Sequence, residues 1–180
     1  DDVNANLELP VEGVREARAE EMGHMKQKVF KIVKKKESYE KTGKAPKSTK
    51  WVDTDKSHGQ GEVLVRSRWV ARDFKTRGER DREDLFCATP PLELLRFMVS
   101  RQATMSKSGR TRKSLFLDVR KAHLVPKCEQ DVYVDLPPEA GAAGDECGKL
   151  LYWLYGCRPA GQAWEDHYSK VLIGAGFIRG

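Results

Sequence analysis

Ser114-Leu115-Phe116-Leu117-Asp118-Val119-Arg120-Lys121-Ala122-His123 is the stretch on which the reading of the whole chain turns. Three apolar residues run into an aspartate and then into a short polar segment. A run of this kind predicts a buried strand. An acid at the end of a buried strand is costly to desolvate unless it has a partner or a metal. The commoner role of an aspartate there is the cap of the turn or helix that follows. The text on both sides has to separate the two.

Downstream, Val132-Tyr133-Val134-Asp135-Leu136 alternates like a strand and is stopped by Pro137-Pro138. Glu139 to Gly148 reads as a Gly/Ala loop, and Tyr155-Gly156 as a break. From Ala160 the pattern is helical, with Ala163, Trp164, His167, Tyr168, Val171 and Leu172 on one side and a stop at Gly174-Ala175-Gly176. Upstream, residues 97–114 hold no acid but carry Arg101, Lys107, Arg110, Arg112 and Lys113. Before them, Pro90-Pro91 opens a mostly apolar segment, Leu92 to Val99, which predicts a buried helix. Lys75 to Asp84 is a loop of mixed charge.

The first half divides in the same way. Residues 1–13 are a polar lead-in. Val14, Ala17, Met22, Met25 and Val29 form one apolar stripe of a helix running from Glu12 to about Lys28, acidic early and basic late as the helix dipole prefers. Val29 to Val33 reads as a strand. Lys34 to Lys50 reads as a lysine-rich connector, either a solvated loop or a contact for a phosphate backbone. Residues 50–72 predict a β-hairpin around the turn Ser57-His58-Gly59-Gln60-Gly61. On its second arm Arg66, Arg68 and Arg72 share parity. Three guanidiniums on one face suit a protected sheet edge or a grip on a triphosphate.

Composition sets the bounds. The chain has 180 residues, 33 Lys+Arg against 27 Asp+Glu, and a net charge of +6, which is compatible with a polyanionic partner. No apolar run is long enough for a transmembrane helix, and no secretory leader opens the chain, so no membrane role is expected. It begins Asp1-Asp2 without a Met and is expected to be a piece of something longer. Cys87, Cys128, Cys147 and Cys157 form no C-x-x-C pair and read as free thiols of a reducing compartment. His24 and His58 have no ligand set around them. Neither a Walker loop nor a Gly-x-Ser-x-Gly elbow is present.

From about Val14 to Phe177 the chain resembles the reverse transcriptase of copia-type LTR retrotransposons. Glu20-Glu21-Met22 matches the family's amphipathic "E-E-M" helix, and Lys50-Trp51-Val52 its Lys-Trp-Val. Ser67 to Phe74 resembles "A-R-L-V-A-K/R-G-F", and Phe86, Leu92 and Arg96 match the segment before the first palm helix. The central stretch resembles "L-D-V-K-T-A-F-L-N-G" without a gap, and Leu154 to Trp164 resembles "L-Y-G-L-K-Q-A-P-R-A-W". Each motif alone is weak; their order and spacing carry the identification.

The resemblance implies an α+β right-hand polymerase fold: fingers over about 29–86 and a partial palm over about 87–177, with antiparallel sheet packed on helices. It implies template-directed dNTP addition by two divalent ions, Mg²⁺ or Mn²⁺, held by carboxylates. Asp118 is then the catalytic, metal-binding carboxylate. The backbone near Val119 seats the triphosphate, Arg68 and Arg158 contact it, and His123 lies under the sugar. The implied partners are an RNA or DNA template-primer, dNTPs and the rest of a Pol polyprotein; the implied locations are cytoplasmic particles and the nucleus.

The family's other carboxylates lie in a Tyr-x-Asp-Asp hairpin, and no such sequence occurs in the 180 residues. The chain alone is therefore expected not to polymerise; the alternative is a non-catalytic, nucleic-acid-binding remnant of a retroelement. Several positions depart from the pattern. His123 replaces Phe, Pro159 replaces Gln, Gly161-Gln162 replaces Pro-Arg, and Val125-Pro126 replaces Asn-Gly.

Overall fold

The structure is a computed structural model and describes residues 9–57, 60–74, 91–104, 113 and 115–178. The expected charged loop at 75–84, Phe86, Cys87 and the basic residues Lys107, Arg110 and Arg112 lie outside these, as do His58-Gly59 and most of the lead-in.

Helix α1 spans Val11–Lys28, close to the stripe read from the sequence. Met22 and Met25 from that stripe are fully buried, and Val29 follows them into the core. Strand β1, Phe30–Lys34, comes directly after. The connector then departs from expectation: Lys35–Thr42 is a helix, α2. Lysine is a good helix former, Lys36 and Glu40 pair one turn apart at 3.3 Å, and Gly43 closes the end at φ 67° with its N–H donating to Tyr39 O. The Gly that suggested a loop is the stop of a helix.

Strands β2, Thr49–Asp55, and β3, Val65–Ala71, form the expected antiparallel hairpin with Trp51 opposite Trp69 and Val52 opposite Arg68. A second sheet contains β1, β4 (Tyr133–Val134) and β5 (Glu146–Leu150) in the order β1-β5-β4, all antiparallel. Two expectations change here. Strand β1 pairs with β5 from the far end of the chain, so the strands of 29–86 do not make one sheet. The Gly/Ala loop gives way to a strand at Glu146. Gly148 sits at its centre because a Cβ there would stand 3.0 Å from Leu136 and 3.2 Å from the Phe30 ring.

The two sheets are stitched together by backbone. Lys47 N–H donates to Tyr133 O and Asp135 N–H to Lys47 O, each at 2.8 Å, and Thr49 Oγ1 donates to Asp135 O at 2.9 Å. One continuous core lies between them and α1. Phe30 meets Trp69 edge to face at 5.4 Å, and Val134, Leu150, Leu154 and Leu124 close around it. Helix α4 spans Ala160–Gly174 and docks through its buried first residue, Ala160.

Two expected buried elements are not buried. Residues 115–119 form no strand, and Leu115, Phe116 and Leu117 are 65–76% exposed. A strand exists through its neighbours' hydrogen bonds, and no described strand pairs with this run. Helix α3, Leu92–Ala103, forms where its Pro and apolar pattern predict it, but none of its residues is buried. Among the described residues no helix is long and apolar enough to cross a membrane. Cys128, Cys147 and Cys157 are free thiols, as read.

Candidate functional site

Alternation along β3 divides its side chains. Ser67, Trp69 and Ala71 turn inward and are buried, while Arg66 and Arg68 take the other parity. Helix α1 is fastened beside them by an ion pair. Arg18 Nη2 lies 2.6 Å from Asp53 Oδ2, and Ser67 Oγ donates to Asp53 Oδ1 at 2.6 Å. Burial pushes the Asp53 carboxyl up, but the hydrogen bonds from Arg18 and Ser67 outweigh it and hold the group below its ordinary value. The Arg18 guanidinium also lies 5.4 Å above the Trp51 ring.

The opposing wall is the turn after Asp118. Lys121 has φ 54°, the one non-glycine residue with positive φ among those described. Its ammonium lies 2.8 Å from Oε2 of Glu21, a buried acid on α1. The Lys121 carbonyl accepts from Leu124 N–H at 2.9 Å and starts the short 3-10 turn Ala122–Leu124. That turn sets the His123 ring 5.7 Å from the Tyr155 ring, at 30° between planes. Tyr155 is itself held by its carbonyl, which accepts from Ala71 N–H at the end of β3 at 2.8 Å.

These pieces enclose a cavity of about 600 Å³. Asp118, Val119 and Arg68, three residues singled out from sequence, line it together, although they come from distant parts of the chain. Arg66, Lys121 and Tyr155 line it too, with the acids Glu20 and Glu21 of α1. Burial raises the Tyr155 hydroxyl above its ordinary value; Glu21 adds to the shift and Arg66 and Arg68 oppose it. The phenol therefore stays neutral in a cavity of mixed charge. His123 does not line the cavity but sits beside the tilted ring of Tyr155, which does. Arg158 does not line it either; its backbone N–H donates to Asp73 Oδ2 at 3.1 Å, and Asp73 also pairs with Lys47 at 2.5 Å.

Lys121, Glu21 and Tyr155 were not singled out as site residues. The signals were present in the Glu20-Glu21-Met22 run and the Tyr155-Gly156 break. Nothing in linear spacing says that residue 21 meets residue 121.

The donor set does not fit a pair of divalent ions. Among the described residues no group of three or more His, Cys, Asp or Glu is placed to hold a metal. Asp118, Glu20 and Glu21 all line the cavity without forming such a group, and Glu21 is taken by Lys121.

The family model described as reverse transcriptase (RNA-dependent DNA polymerase) matches residues 27–180. No solved structure matches the chain.

Proposed function

The chain belongs to the reverse transcriptase (RNA-dependent DNA polymerase) family, and from that premise we propose that the Asp118 cavity is the nucleotide end of a template-directed DNA-synthesis site of copia type. The observation that carries the reading is the convergence of Asp118, Val119 and Arg68 in one cavity. Arg68, with Arg66 beside it, takes the triphosphate, since guanidiniums bind phosphate oxygens bidentately. Arg158 is assigned a second phosphate contact from beyond the Tyr155-Gly156 turn. The backbone at Val119 seats the phosphates, and His123, backed by Tyr155, lies under the sugar. Fingers over about 29–86 and palm over about 87–177 remain the proposed division, and a retrotransposon Pol polyprotein the proposed setting.

Asp118 supplies one carboxylate of the set that Mg²⁺-dependent nucleotide addition requires. With no further cluster among the described residues, this chain by itself is assigned nucleotide binding without polymerisation. The same observation favours the second reading, a nucleic-acid-binding remnant with no catalysis.

The test is equilibrium binding of dTTP, followed by tryptophan and tyrosine fluorescence, together with primer extension. Arg68→Ala is expected to weaken dTTP binding at least tenfold, and no form of the chain alone should extend a primer. Unchanged dTTP affinity in Arg68→Ala would refute the assignment of the cavity. Template-dependent incorporation by the unmodified chain would refute the assignment of binding without synthesis.

A further inference from the structure

Asp118 and Arg68 meet in one cavity, and helix α1 is fastened to both of its walls. Arg18 holds Asp53, which lies opposite Ser67 in the hairpin, between Arg66 and Arg68. Helix α1 also packs along β3, the strand that carries these arginines. Glu21 follows Arg18 by one turn, about 4.5 Å along the helix and on the same face. It accepts from the Lys121 ammonium at 2.8 Å, in the turn after Asp118. One face of one helix therefore sets how far the Arg68 strand stands from the Asp118 turn.

The second fastening carries the greater demand. No described strand pairs with residues 115–119, so no sheet ladder among the described residues fixes Asp118 or Val119 from the upstream side. The turn at Lys121 follows them directly. Lys121 stands there at φ 54° and ψ 39°, a left-handed backbone that disfavours a residue with a Cβ. Gly or Asn is the residue such a backbone selects. The lysine side chain offsets that cost by reaching Glu21, which is 8% exposed. A carboxylate with so little water needs a charged partner. The motif that this stretch resembles has Thr at the position of Lys121, so the pair is a feature of this chain and not of the motif. The Lys121 carbonyl accepts from Leu124 N–H at 2.9 Å, and the Ala122 carbonyl from Val125 N–H at 3.1 Å. Those bonds carry the hold onward to His123.

We propose that Glu21 and Lys121 are positioning residues of the Asp118 cavity. Their ion pair holds the Asp118 turn against α1, and so at a fixed distance from the Arg68 strand, and sets nucleotide affinity without touching the nucleotide. That the ligand is a nucleotide rests on the reading of the cavity above; the hold on the turn does not.

The experiment uses the full chain and reads two quantities, dTTP affinity by fluorescence and amide exchange at Leu124 and Val125 by NMR. Glu21→Gln is expected to weaken dTTP binding about tenfold and to speed both amides about tenfold. Lys121→Gly, which frees the backbone but cuts the pair, should do the same, and it keeps the test open should Glu21→Gln not fold. The exchanged pair, Glu21→Lys with Lys121→Glu, should restore both readouts to within about threefold of the parent, since a tether works in either polarity. A Lys121 that touched a phosphate itself would behave otherwise: the exchanged pair would bind dTTP more weakly than Glu21→Gln, and that result would overturn the proposal. Parent-like affinity in Lys121→Gly would overturn it too, because the left-handed backbone alone would then set the turn. Lys36→Gln breaks the exposed pair of α2 with the same change of charge as Lys121→Gly and should alter neither readout; a loss equal to that of Lys121→Gly would assign the effect to net charge and overturn the proposal. Far-UV circular dichroism confirms that each variant is folded. If dTTP binds to no form of the protein, the parent included, while amide exchange follows the pair, the Asp118 reading fails and the hold on the turn stands. Unchanged exchange in Glu21→Gln overturns the proposal whether or not dTTP binds.

Discussion

Replacing Gly156 by alanine tests how the site is held together. Gly156 has φ 81°, in the region where an L-residue is disfavoured by about 1–2 kcal/mol. It follows Tyr155 in a turn closed by Cys157 N–H donating to Leu154 O at 3.1 Å. A Cβ at this position would overlap the Ala71 carbonyl oxygen and stand 3.2 Å from Ala71 C and N. The obstacle is backbone at the end of β3, which cannot rotate away as a side chain would. Relief requires the turn to leave β3, breaking the 2.8 Å bond from Ala71 N–H to the Tyr155 carbonyl, a loss of about 1 kcal/mol. Displacement of the packed backbone adds about 1–3 kcal/mol. The expected destabilisation is about 3–6 kcal/mol, a large part of the stability of an ordinary domain. Urea unfolding followed by tryptophan fluorescence measures it. With a slope of about 2 kcal/mol/M, the midpoint should fall by at least about 1.5 M. Gly23→Ala is the matched control: that glycine lies within α1 with nothing within 4 Å of the new Cβ, and should gain about 0.5–1 kcal/mol. A Gly156→Ala protein within about 0.5 kcal/mol of the parent, below any single cost counted above, would refute the reasoning.

Three further outcomes are expected. The Asp53 carboxyl is held below its ordinary value of 3.8, so its contribution to stability is present above that pH and is lost as pH falls through the lowered value. Asp53→Asn should flatten the acid side of a stability profile taken from pH 6 to 3, and an unchanged acid limb would contradict the Arg18–Asp53–Ser67 arrangement. Leu117 is 65% exposed, so Leu117→Ala should change unfolding free energy by less than about 0.5 kcal/mol. A loss of about 2–5 kcal/mol by chemical denaturation would instead reveal a buried strand. Burial holds His24 below its ordinary 6.5, Lys121 and Lys28 push it further down, and Glu21 opposes them. The imidazole should therefore take up its proton only below pH 6.5, and a ring-proton NMR titration with its midpoint at or above 6.5 would contradict this placement.

The local patterns were legible because they are short-range physics. The apolar stripe of α1 buried Met22 and Met25 where its period placed them, and the hairpin's alternation separated Trp69 from Arg68. The family motifs identified a reverse transcriptase before any fold was known, and a family model covering residues 27–180 agrees. A helix hidden in the lysine-rich connector was missed because Gly43 reads the same whether it ends a helix or opens a loop.

Tertiary structure decided whatever depends on a partner far along the chain. Strand β1 has to find β5, more than a hundred residues later, before either has a sheet to join. Leu115 to Leu117 are as apolar as any buried strand, yet they lie exposed, because burial is a property of neighbours and not of the run itself. The Lys121–Glu21 pair and the cavity beside it exist only once that helix lies against the Asp118 turn. Charge in sequence likewise does not say which charges are paired: Lys34, Lys35, Lys36 and Lys47 of the connector each meet an acid in the fold, while Lys28, Lys127 and Lys170, scattered through the chain, meet at one cleft.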